Sequence, residues 1–258
     1  MRHVLLLAAL LLTIAAAPAS AADPEPAAPP GAFVSLANVA PSIVVEMRYT
    51  TSHNFTGRPI RGYRQPLCIL TRPAAEALGR VQAAVRAQGY TLKVYDCYRP
   101  QRAVDSFVAW AKRLRDERTK AEFYPRVEKS RLFKEGYIAA QSGHSRGSAV
   151  DLTLVRRPAR RQERYRRSAQ TDCADPAGVR FGDNSIDMGT GYDCFDPLSH
   201  PFNGRVHGVQ RRNRLRLRHA LVAQGFAPLA EEWWHFRFRA EPYPETYFDF
   251  PVARSELG

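Results

Sequence analysis

The most regular pattern of apolar positions in this chain is helical. Within residues 72–88, apolar side chains recur every three or four residues, as on one face of a helix: Ala75, Leu78, Val81 and Val85. Pro73 suits the first turn of such a helix, and Gly89 is a typical stop. Two further helices are predicted at residues 101–117, directly after a proline, and at residues 210–224, where a basic segment carries a leucine-rich face.

Shorter segments rich in β-branched and aromatic residues predict strands. They lie at residues 39–49, 91–96, 149–155 and 231–238. Residues 156–182, by contrast, are polar, rich in arginine and without periodicity, and they predict a long surface excursion. We expect a single α+β domain with a central antiparallel sheet flanked by helices.

The N-terminus predicts export. A basic start precedes an apolar run over residues 4–17, and the small residues that follow contain an A-x-A cleavage site. We expect a secretory signal peptide at residues 1–21 and a disordered Pro- and Ala-rich leader at 22–32, with the folded domain at 33–258. The apolar run is shorter than a membrane span of about 20 residues. The sequence therefore predicts a protein secreted across the inner membrane, periplasmic or extracellular, without a transmembrane anchor.

Export changes the meaning of the four cysteines. In an oxidising compartment an even number of cysteines indicates disulfides before it indicates metal ligands, and no Cys-x-x-Cys pair occurs. Four cysteines allow three connectivities. Short loops favour the two sequential pairs, Cys68–Cys97 and Cys173–Cys194.

The charge of the chain is unusual for its composition. Hydrophobic residues (45%) and charged residues (24%) are ordinary for a globular protein of 258 residues, but the net charge is +13. Arginines concentrate at residues 156–167 and 205–218. A basic surface indicates an anionic partner, such as nucleic acid, an anionic membrane surface or an acidic cell-wall polymer, although arginine on solvated faces can also reflect composition alone. Export argues against nucleic acid and favours an anionic cell-wall polymer.

Two well separated segments contain the candidate chemistry. The first offers His144 and Asp151, and the second offers Glu232 and His235. Two imidazoles and one carboxylate form a three-ligand zinc set that leaves one position open, which is typical of a catalytic rather than a structural zinc. The remaining carboxylate, placed beside the metal, can then act as the general base of a hydrolase.

This spacing has two structural requirements. The first segment must turn before it enters the predicted strand, and Gly143 and Gly147 would supply the backbone freedom for that turn. In an ideal strand Glu232 and His235 point to opposite faces, so a twist, bulge or bend is needed to bring both towards a metal. Spacing alone therefore leaves a structural role for these residues open. The remaining histidines are interpreted as structural: His3, His53, His200, His207 and His219.

Four motifs carry a family resemblance. They are Asn-Phe-Thr-Gly at 54–57, Asp-x-Tyr-Arg-Pro at 96–100, Ser-x-His-x-x-Gly-x-Ala-x-Asp at 142–151 and Glu-Trp-Trp-His at 232–235. In this order they resemble the zinc D-alanyl-D-alanine peptidases, and in particular the dipeptidase branch associated with vancomycin resistance. The resemblance runs from about Val45 to Arg239. The excursion at 156–182 is longer than the family leads us to expect, and many members lack a signal peptide.

The resemblance implies one zinc ion per chain, bound by His144, Asp151 and His235. It also implies that Glu232 takes a proton from the zinc-bound water and later gives it to the leaving amine. Arg99 occupies the family's transition-state-stabilising position, where a guanidinium would face the developing oxyanion.

Substrate recognition is less sharply indicated. Ser142 and Asp187 are candidates for binding the termini of a dipeptide, because a free ammonium requires a carboxylate partner. Trp233 and Trp234 are most simply interpreted as packing residues.

The function expected from these observations is zinc-dependent hydrolysis of D-Ala-D-Ala or a related D,D-dipeptide, linked to the turnover of cell-wall peptides. An exported D,D-carboxypeptidase acting on peptidoglycan stem peptides is the nearest alternative, because export brings the enzyme to the wall. A non-catalytic, zinc-stabilised wall-binding protein is a second alternative, and Glu232 argues against it because a binder needs no general base.

Overall fold

The computed structural model describes residues 31–257, so the predicted signal peptide and most of the predicted leader lie outside the described residues. Gly31 and Ala32, assigned to the leader above, form a turn, and the Ala32 carbonyl accepts a hydrogen bond from the Arg72 backbone N–H (2.9 Å). The first strand begins at Phe33.

Strands and helices are interspersed along the described chain. The strands are β1 (Phe33–Ser35), β2 (Val44–Val45), β3 (Ile69–Thr71), β4 (Tyr90–Asp96), β5 (Ala149–Arg156), β6 (Phe226–Pro228) and β7 (His235–Phe238). The α-helices are α1 (Leu36–Val39), α2 (Arg72–Ala87), α3 (Gln101–Lys112), α4 (Lys120–Phe123) and α5 (Gly208–Val222). Short 3₁₀ turns occur at Arg48–Thr50, Lys129–Arg131, Gly143–Arg146, Arg167–Ala169, Pro197–Ser199 and Arg254–Glu256.

The elements with a strong period agree with the prediction, and three others are shorter than predicted. The strand predicted at 231–238 begins only at His235. The helix predicted at 101–117 ends at Lys112, because its buried face stops at Ala111 and Leu114 is already 53% exposed. The strand predicted at 39–49 shrinks to β2, since both residues of β2 are solvent-exposed and the chain turns into a 3₁₀ helix soon after.

The central sheet has the strand order β2–β4–β5–β7–β6. The pairs β4/β5, β5/β7 and β7/β6 are antiparallel, whereas β2 is parallel to β4. The predicted α+β class with a central sheet is confirmed, but the sheet is mixed rather than wholly antiparallel. The reason is that α2 lies between β2 and β4 in the chain, and a crossover of this kind returns the chain in its original direction.

Helix α2 covers the sheet with an apolar face. Its buried residues are Ala74, Ala75, Ala77, Leu78, Val81, Gln82 and Val85, and it packs on β4 and against α5. Burial of each Leu or Val side chain stabilises the fold by about 1.5–3 kcal/mol. All of β4, and all of β5 up to Val155, is buried. The middle of the sheet is therefore a rigid base for whatever its strand ends carry.

The two predicted disulfides are confirmed. Cys68 is bonded to Cys97, and Cys173 to Cys194. The first lies next to β3 and the end of β4; the second joins the excursion to the loop before α5. Among residues 31–257, no helix has the length and apolar character that crossing a membrane requires.

Candidate active site

Strand register brings the candidate residues together. Asp151 on β5 pairs with His235 on β7, and on its other side with Asp96 at the end of β4. The β4/β5 register shifts between Val94 and Asp96, as at a β-bulge. The three central strands thus present their functional side chains at one end of the sheet.

The turn before β5 supplies His144. It is a 3₁₀ turn in which the Ser142 hydroxyl accepts the His144 backbone N–H (3.3 Å). Gly147 ends the turn at φ +79°, and a Cβ there would lie 2.1 Å from Cε1 of Phe33, so only glycine fits. The predicted need for Gly147 is confirmed. The prediction for Gly143 is wrong, since its φ lies outside the left-handed region.

Three ligand atoms converge at this point. His144 Nε2 lies 3.1 Å from Asp151 Oδ1 and 3.0 Å from His235 Nδ1, and the latter two atoms are 3.1 Å apart. Donors bound to one tetrahedral zinc at about 2.0–2.2 Å are roughly 3.3–3.5 Å apart, so small adjustments would accommodate the ion. Two imidazole nitrogens and a carboxylate oxygen are donors that zinc prefers. These residues fit a zinc site.

The surroundings prepare His144 for metal binding. Its Nδ1 lies 2.7 Å from the carbonyl oxygen of Cys97, which can only accept, so Nδ1 carries the proton and Nε2 is left with a free lone pair. Burial alone would raise the pKa of Asp151, but the imidazoles of His144 and His235 hold it well below its usual range. Asp151 is therefore an anionic ligand.

Glu232 lies just before the turn at Trp233 and Trp234 that leads into β7, not in the strand. Because of this turn, Glu232 and His235 are not bound by the alternation of a strand, which would place their side chains on opposite faces of the sheet. The Glu232 Oε2 atom is 3.9 Å from His235 Nδ1, and its side chain is 24% exposed. Burial raises the pKa of Glu232 to about 7, which the nearby Asp151 reinforces and His235 opposes. A bound cation would favour its charged form.

Arg99 is fixed by several partners. Its Nε donates to Asp96 Oδ2 (2.8 Å), and one terminal nitrogen donates to the Ser142 hydroxyl (3.3 Å). The other terminal nitrogen lies 3.5 Å from Asp151 Oδ2. The guanidinium also lies 5.2 Å from the ring centroid of Tyr49. The structural and catalytic interpretations of Arg99 are thus compatible, since one edge binds Asp96 while the residue lines the cavity.

These residues line one cavity of about 320 Å³. Its polar lining includes Arg99, Ser142, Glu232 and the metal ligands, and its apolar wall is formed by side chains that include Val104, Phe107, Ile138, Phe195 and Leu229. The structure also brings Asp193 into this cavity. Trp233 and Trp234 are buried behind the site, 3% and 1% exposed, as the packing interpretation requires.

Asp193 is the site residue that the sequence did not reveal. Its Oδ2 accepts a hydrogen bond from the Tyr49 hydroxyl (2.9 Å). The Tyr192 hydroxyl lies 3.4 Å from that of Tyr49 and donates to Asp151 Oδ2 (3.0 Å), so two phenols connect Asp193 to the metal ligand. Burial, reinforced by Asp151 and Glu232, raises the pKa of Asp193 well above its usual range. A cationic group in the cavity would offset that cost.

Asp187, the carboxylate predicted to bind substrate, does not line the cavity. Its side chain is hydrogen-bonded to Arg180, to the Gly189 backbone N–H (2.9 Å) and to Gln210 at the start of α5 (3.0 Å). Asp193, in the same loop, does line the cavity. The positive φ of Asp193 (56°) is not visible in the sequence, although its position next to Cys194 marks a constrained stretch.

An open metal-ligand triad with a carboxylate and a guanidinium beside it defines the class: a metal-dependent peptidase. Residues 31–161 and 175–253 match the family model of the D-ala-D-ala dipeptidases. The chain belongs to this family, which confirms the predicted resemblance and enzyme class. The match leaves out residues 162–174, within the excursion.

Similar proteins cover nearly the whole domain. A D-alanyl-D-alanine dipeptidase of Streptomyces coelicolor is 40% identical over 223 residues, 86% of this chain and 99% of that protein. Those of Enterococcus faecium and Escherichia coli are 36% and 30% identical, over 85% and 82% of this chain and 98% and 88% of theirs. Among solved structures, a variant of the vancomycin resistance D,D-pentapeptidase VanY with Zn(II) aligns at 13% identity and a TM-score of 0.36, covering 77% of this chain and 87% of that one.

Proposed function

We propose that this protein is an exported zinc dipeptidase that hydrolyses D-Ala-D-Ala or a related D,D-dipeptide during the turnover of cell-wall peptides. The observation that carries the proposal is the shared cavity: His144, Asp151 and His235 converge to within 3.1 Å of one another, with Glu232 and Asp193 in the same lining. The names of the relatives support the D,D-dipeptide as substrate.

In this proposal, each side chain has one task. Zinc, when bound, supplies Lewis-acid polarisation of the scissile carbonyl and lowers the pKa of a water molecule. Glu232 removes a proton from the attacking water and delivers it to the amine nitrogen as the C–N bond breaks. Arg99 faces the negative charge that develops on the carbonyl oxygen, so it acts more strongly on the transition state than on the substrate.

Asp193 favours a dipeptide over a stem peptide. A free dipeptide has an ammonium one residue from the scissile bond, and a buried carboxylate is its natural partner. A stem peptide has an uncharged amide at that position and would leave the buried Asp193 carboxylate without a cationic partner, at a cost of about 1–3 kcal/mol. The cavity thus supports the dipeptidase over the D,D-carboxypeptidase.

The test combines metal analysis with a substrate panel. The zinc-loaded protein is assayed on D-Ala-D-Ala, L-Ala-L-Ala and a pentapeptide ending in D-Ala-D-Ala. We expect one zinc per chain and hydrolysis of D-Ala-D-Ala alone. Cleavage of the pentapeptide but not the dipeptide would establish the carboxypeptidase instead. A protein that binds zinc and cuts none of the three would be the non-catalytic wall-binding protein.

Export and a wall partner belong to the same proposal. The N-terminal sequence and the two disulfides support a periplasmic or extracellular location. Around α5, five arginines have no carboxylate partner within the described residues: Arg205, Arg211, Arg212, Arg216 and Arg218. Such a surface would attract an anionic cell-wall polymer.

Cell fractionation and polymer binding test these two points. We expect the protein outside the cytoplasm, and we expect sedimentation with purified anionic wall polymer that weakens with salt. Replacing Arg211 and Arg212 by Gln should reduce this sedimentation more than the matched change at Arg113 and Arg115, which lie outside α5. If both variants lose sedimentation equally, the polymer responds to the net charge of the protein and not to a docking surface around α5.

A further inference from the structure

The loop that carries Asp193 is held by a segment that the family match leaves out. Residues 162–174 have no counterpart in the matched ranges, yet they include Cys173, which is disulfide-bonded to Cys194. Cys194 directly follows the cavity carboxylate. A segment outside the family match is thus covalently joined to the residue next to Asp193.

The disulfide is one of three ties between this segment and the Asp193 loop. The Gly191 backbone N–H donates to the Cys173 carbonyl (2.7 Å). Arg126 donates to Asp172 on the segment (3.0 Å) and to Asp196 on the loop (2.5 Å). The segment therefore contacts the loop both before and after Asp193.

The segment is itself anchored to the core. The Cys173 backbone N–H donates to the Glu122 carbonyl at the C-terminal end of α4 (3.0 Å). Tyr165 stacks on the buried ring of His53, with centroids 3.7 Å apart. His53 is in turn hydrogen-bonded to Glu122 Oε1 (2.7 Å). These contacts make the segment a brace between the core and the loop rather than a free excursion.

Asp193 needs such a brace because of its backbone. Its φ of 56° lies in the left-handed region, which costs a residue with a Cβ of order 1 kcal/mol and persists only when the surroundings fix it. Its one described side-chain hydrogen bond is from Tyr49, which also lines the cavity. If the loop relaxed to a negative φ, the carboxylate would be re-aimed.

We propose that residues 162–174, through the Cys173–Cys194 disulfide, are a positioning element that holds Asp193 in place for the substrate ammonium. This inference rests on the proposed dipeptidase function. The segment does not touch the metal ligands, so its effect is on recognition of the charged amine and not on zinc binding. Substrate selectivity in this chain then depends on an oxidised disulfide.

The test compares two molecules that differ only in the amine. Propionyl-D-Ala is D-Ala-D-Ala without its amino group and serves as a competitive inhibitor. In the zinc-loaded double variant Cys173→Ala/Cys194→Ala we expect KM for D-Ala-D-Ala to rise about tenfold. The Ki of propionyl-D-Ala should change less than twofold, and zinc content should not change. In an Asp193→Asn background the same double change should add less than twofold to KM.

Two controls separate positioning from general damage. Cys68→Ala/Cys97→Ala also removes one disulfide. It keeps the backbone carbonyl of residue 97 that contacts His144 but releases the chain that carries this carbonyl, so we expect weaker zinc binding with an unchanged ratio of KM to Ki. Tyr165→Ala keeps both disulfides and loosens the contact of the segment with His53. It should raise KM for D-Ala-D-Ala about threefold and leave the Ki of propionyl-D-Ala nearly unchanged. If Cys173→Ala/Cys194→Ala does not fold, the Tyr165→Ala variant alone tests the positioning role.

The outcomes are distinct. If KM and Ki rise together, or neither changes in the folded variants, the positioning role is wrong. If the wild-type zinc protein does not hydrolyse D-Ala-D-Ala at all, it is the proposed function that fails, and the inference falls with it.

Discussion

The two halves of the cavity are built in different ways. The metal half, His144, Asp151 and His235, lies on or next to paired strands, where β-sheet register fixes the distances. The half proposed to bind the substrate ammonium, called the ammonium half, is centred on Asp193. It lies on a loop with a left-handed residue, and a hydrogen bond from Tyr49 and a disulfide hold it. In the proposed function, catalysis thus depends on positions fixed by strand pairing, and substrate recognition depends on a loop held by distant contacts.

Replacing the general base should have the largest effect on the metal half. Glu232→Gln keeps the shape of the side chain but cannot accept a proton, and we expect kcat on D-Ala-D-Ala to fall about 10³-fold. Zinc content and KM should stay close to wild type, because Glu232 is not a proposed ligand. Steady-state kinetics with metal analysis of the same sample checks this. Substantial activity in a variant with full zinc would contradict the mechanism.

Arg99→Lys tests the second charge in the metal half. The change keeps the positive charge but removes the fork that binds Asp96 and Ser142 together, so we expect kcat to fall about 10²-fold. Thermal unfolding should be measured in parallel, since Asp96 is fully buried and would lose a partner. If Arg99→Lys lowers the unfolding temperature but leaves kcat unchanged at a temperature where the protein is folded, the role of Arg99 is structural and not catalytic.

Asp193→Asn breaks the ammonium half alone. Loss of a charge-assisted hydrogen bond costs about 1.5–3 kcal/mol, so KM for D-Ala-D-Ala should rise about 10- to 100-fold while kcat changes little. Asp187→Asn is the matched control, because Asp187 is a carboxylate of the same loop outside the cavity, and it should leave KM unchanged. If Asp187→Asn raises KM and Asp193→Asn does not, Asp187 binds the ammonium, as the sequence predicted.

The smallest effect is a pH dependence of binding. Since the pKa of Asp193 is raised by burial, its carboxyl group is neutral in acid and cannot pair with an ammonium. Affinity should therefore rise with pH until Asp193 ionises, and fall again above about pH 8, where the substrate amine loses its proton. Calorimetric binding of D-Ala-D-Ala to zinc-loaded Glu232→Gln separates this from the chemical step. When Asp193→Asn is added, the affinity for D-Ala-D-Ala should no longer rise with pH on the acid side of the profile, where the Glu232→Gln protein shows a rise of a few-fold.

The same contrast explains what could be predicted from the sequence. The residues of the metal half follow short motifs with strong local signals, and Gly147 even marked the turn between two of them. The choice between Asp187 and Asp193 depended on which carboxylate faces the cavity. Gln210 on α5 engages one of them and Tyr49 the other, and both partners are distant in sequence. Such contacts leave no periodic pattern in the chain.

Secondary structure shows the same limit. Helix α2 and strands β4 and β5 could be predicted because burial imposes their periods or their apolar runs. The two residues of β2 are exposed, and their pairing with β4 is a property of the sheet edge rather than of the local sequence. The parallel direction of that pair follows from the chain's path through α2, which local patterns do not reveal.

The contact between Phe33 and Gly147 has an evolutionary consequence. The first residue of β1 fills the space that a side chain at position 147 would need, directly beneath the turn that carries His144. Position 147 cannot change alone, because a larger residue there requires both a smaller side chain at 33 and a different backbone angle. Across descendants of this chain, the two positions should be retained or replaced as a pair, so that the strand farthest from the chemistry in sequence is inherited with it.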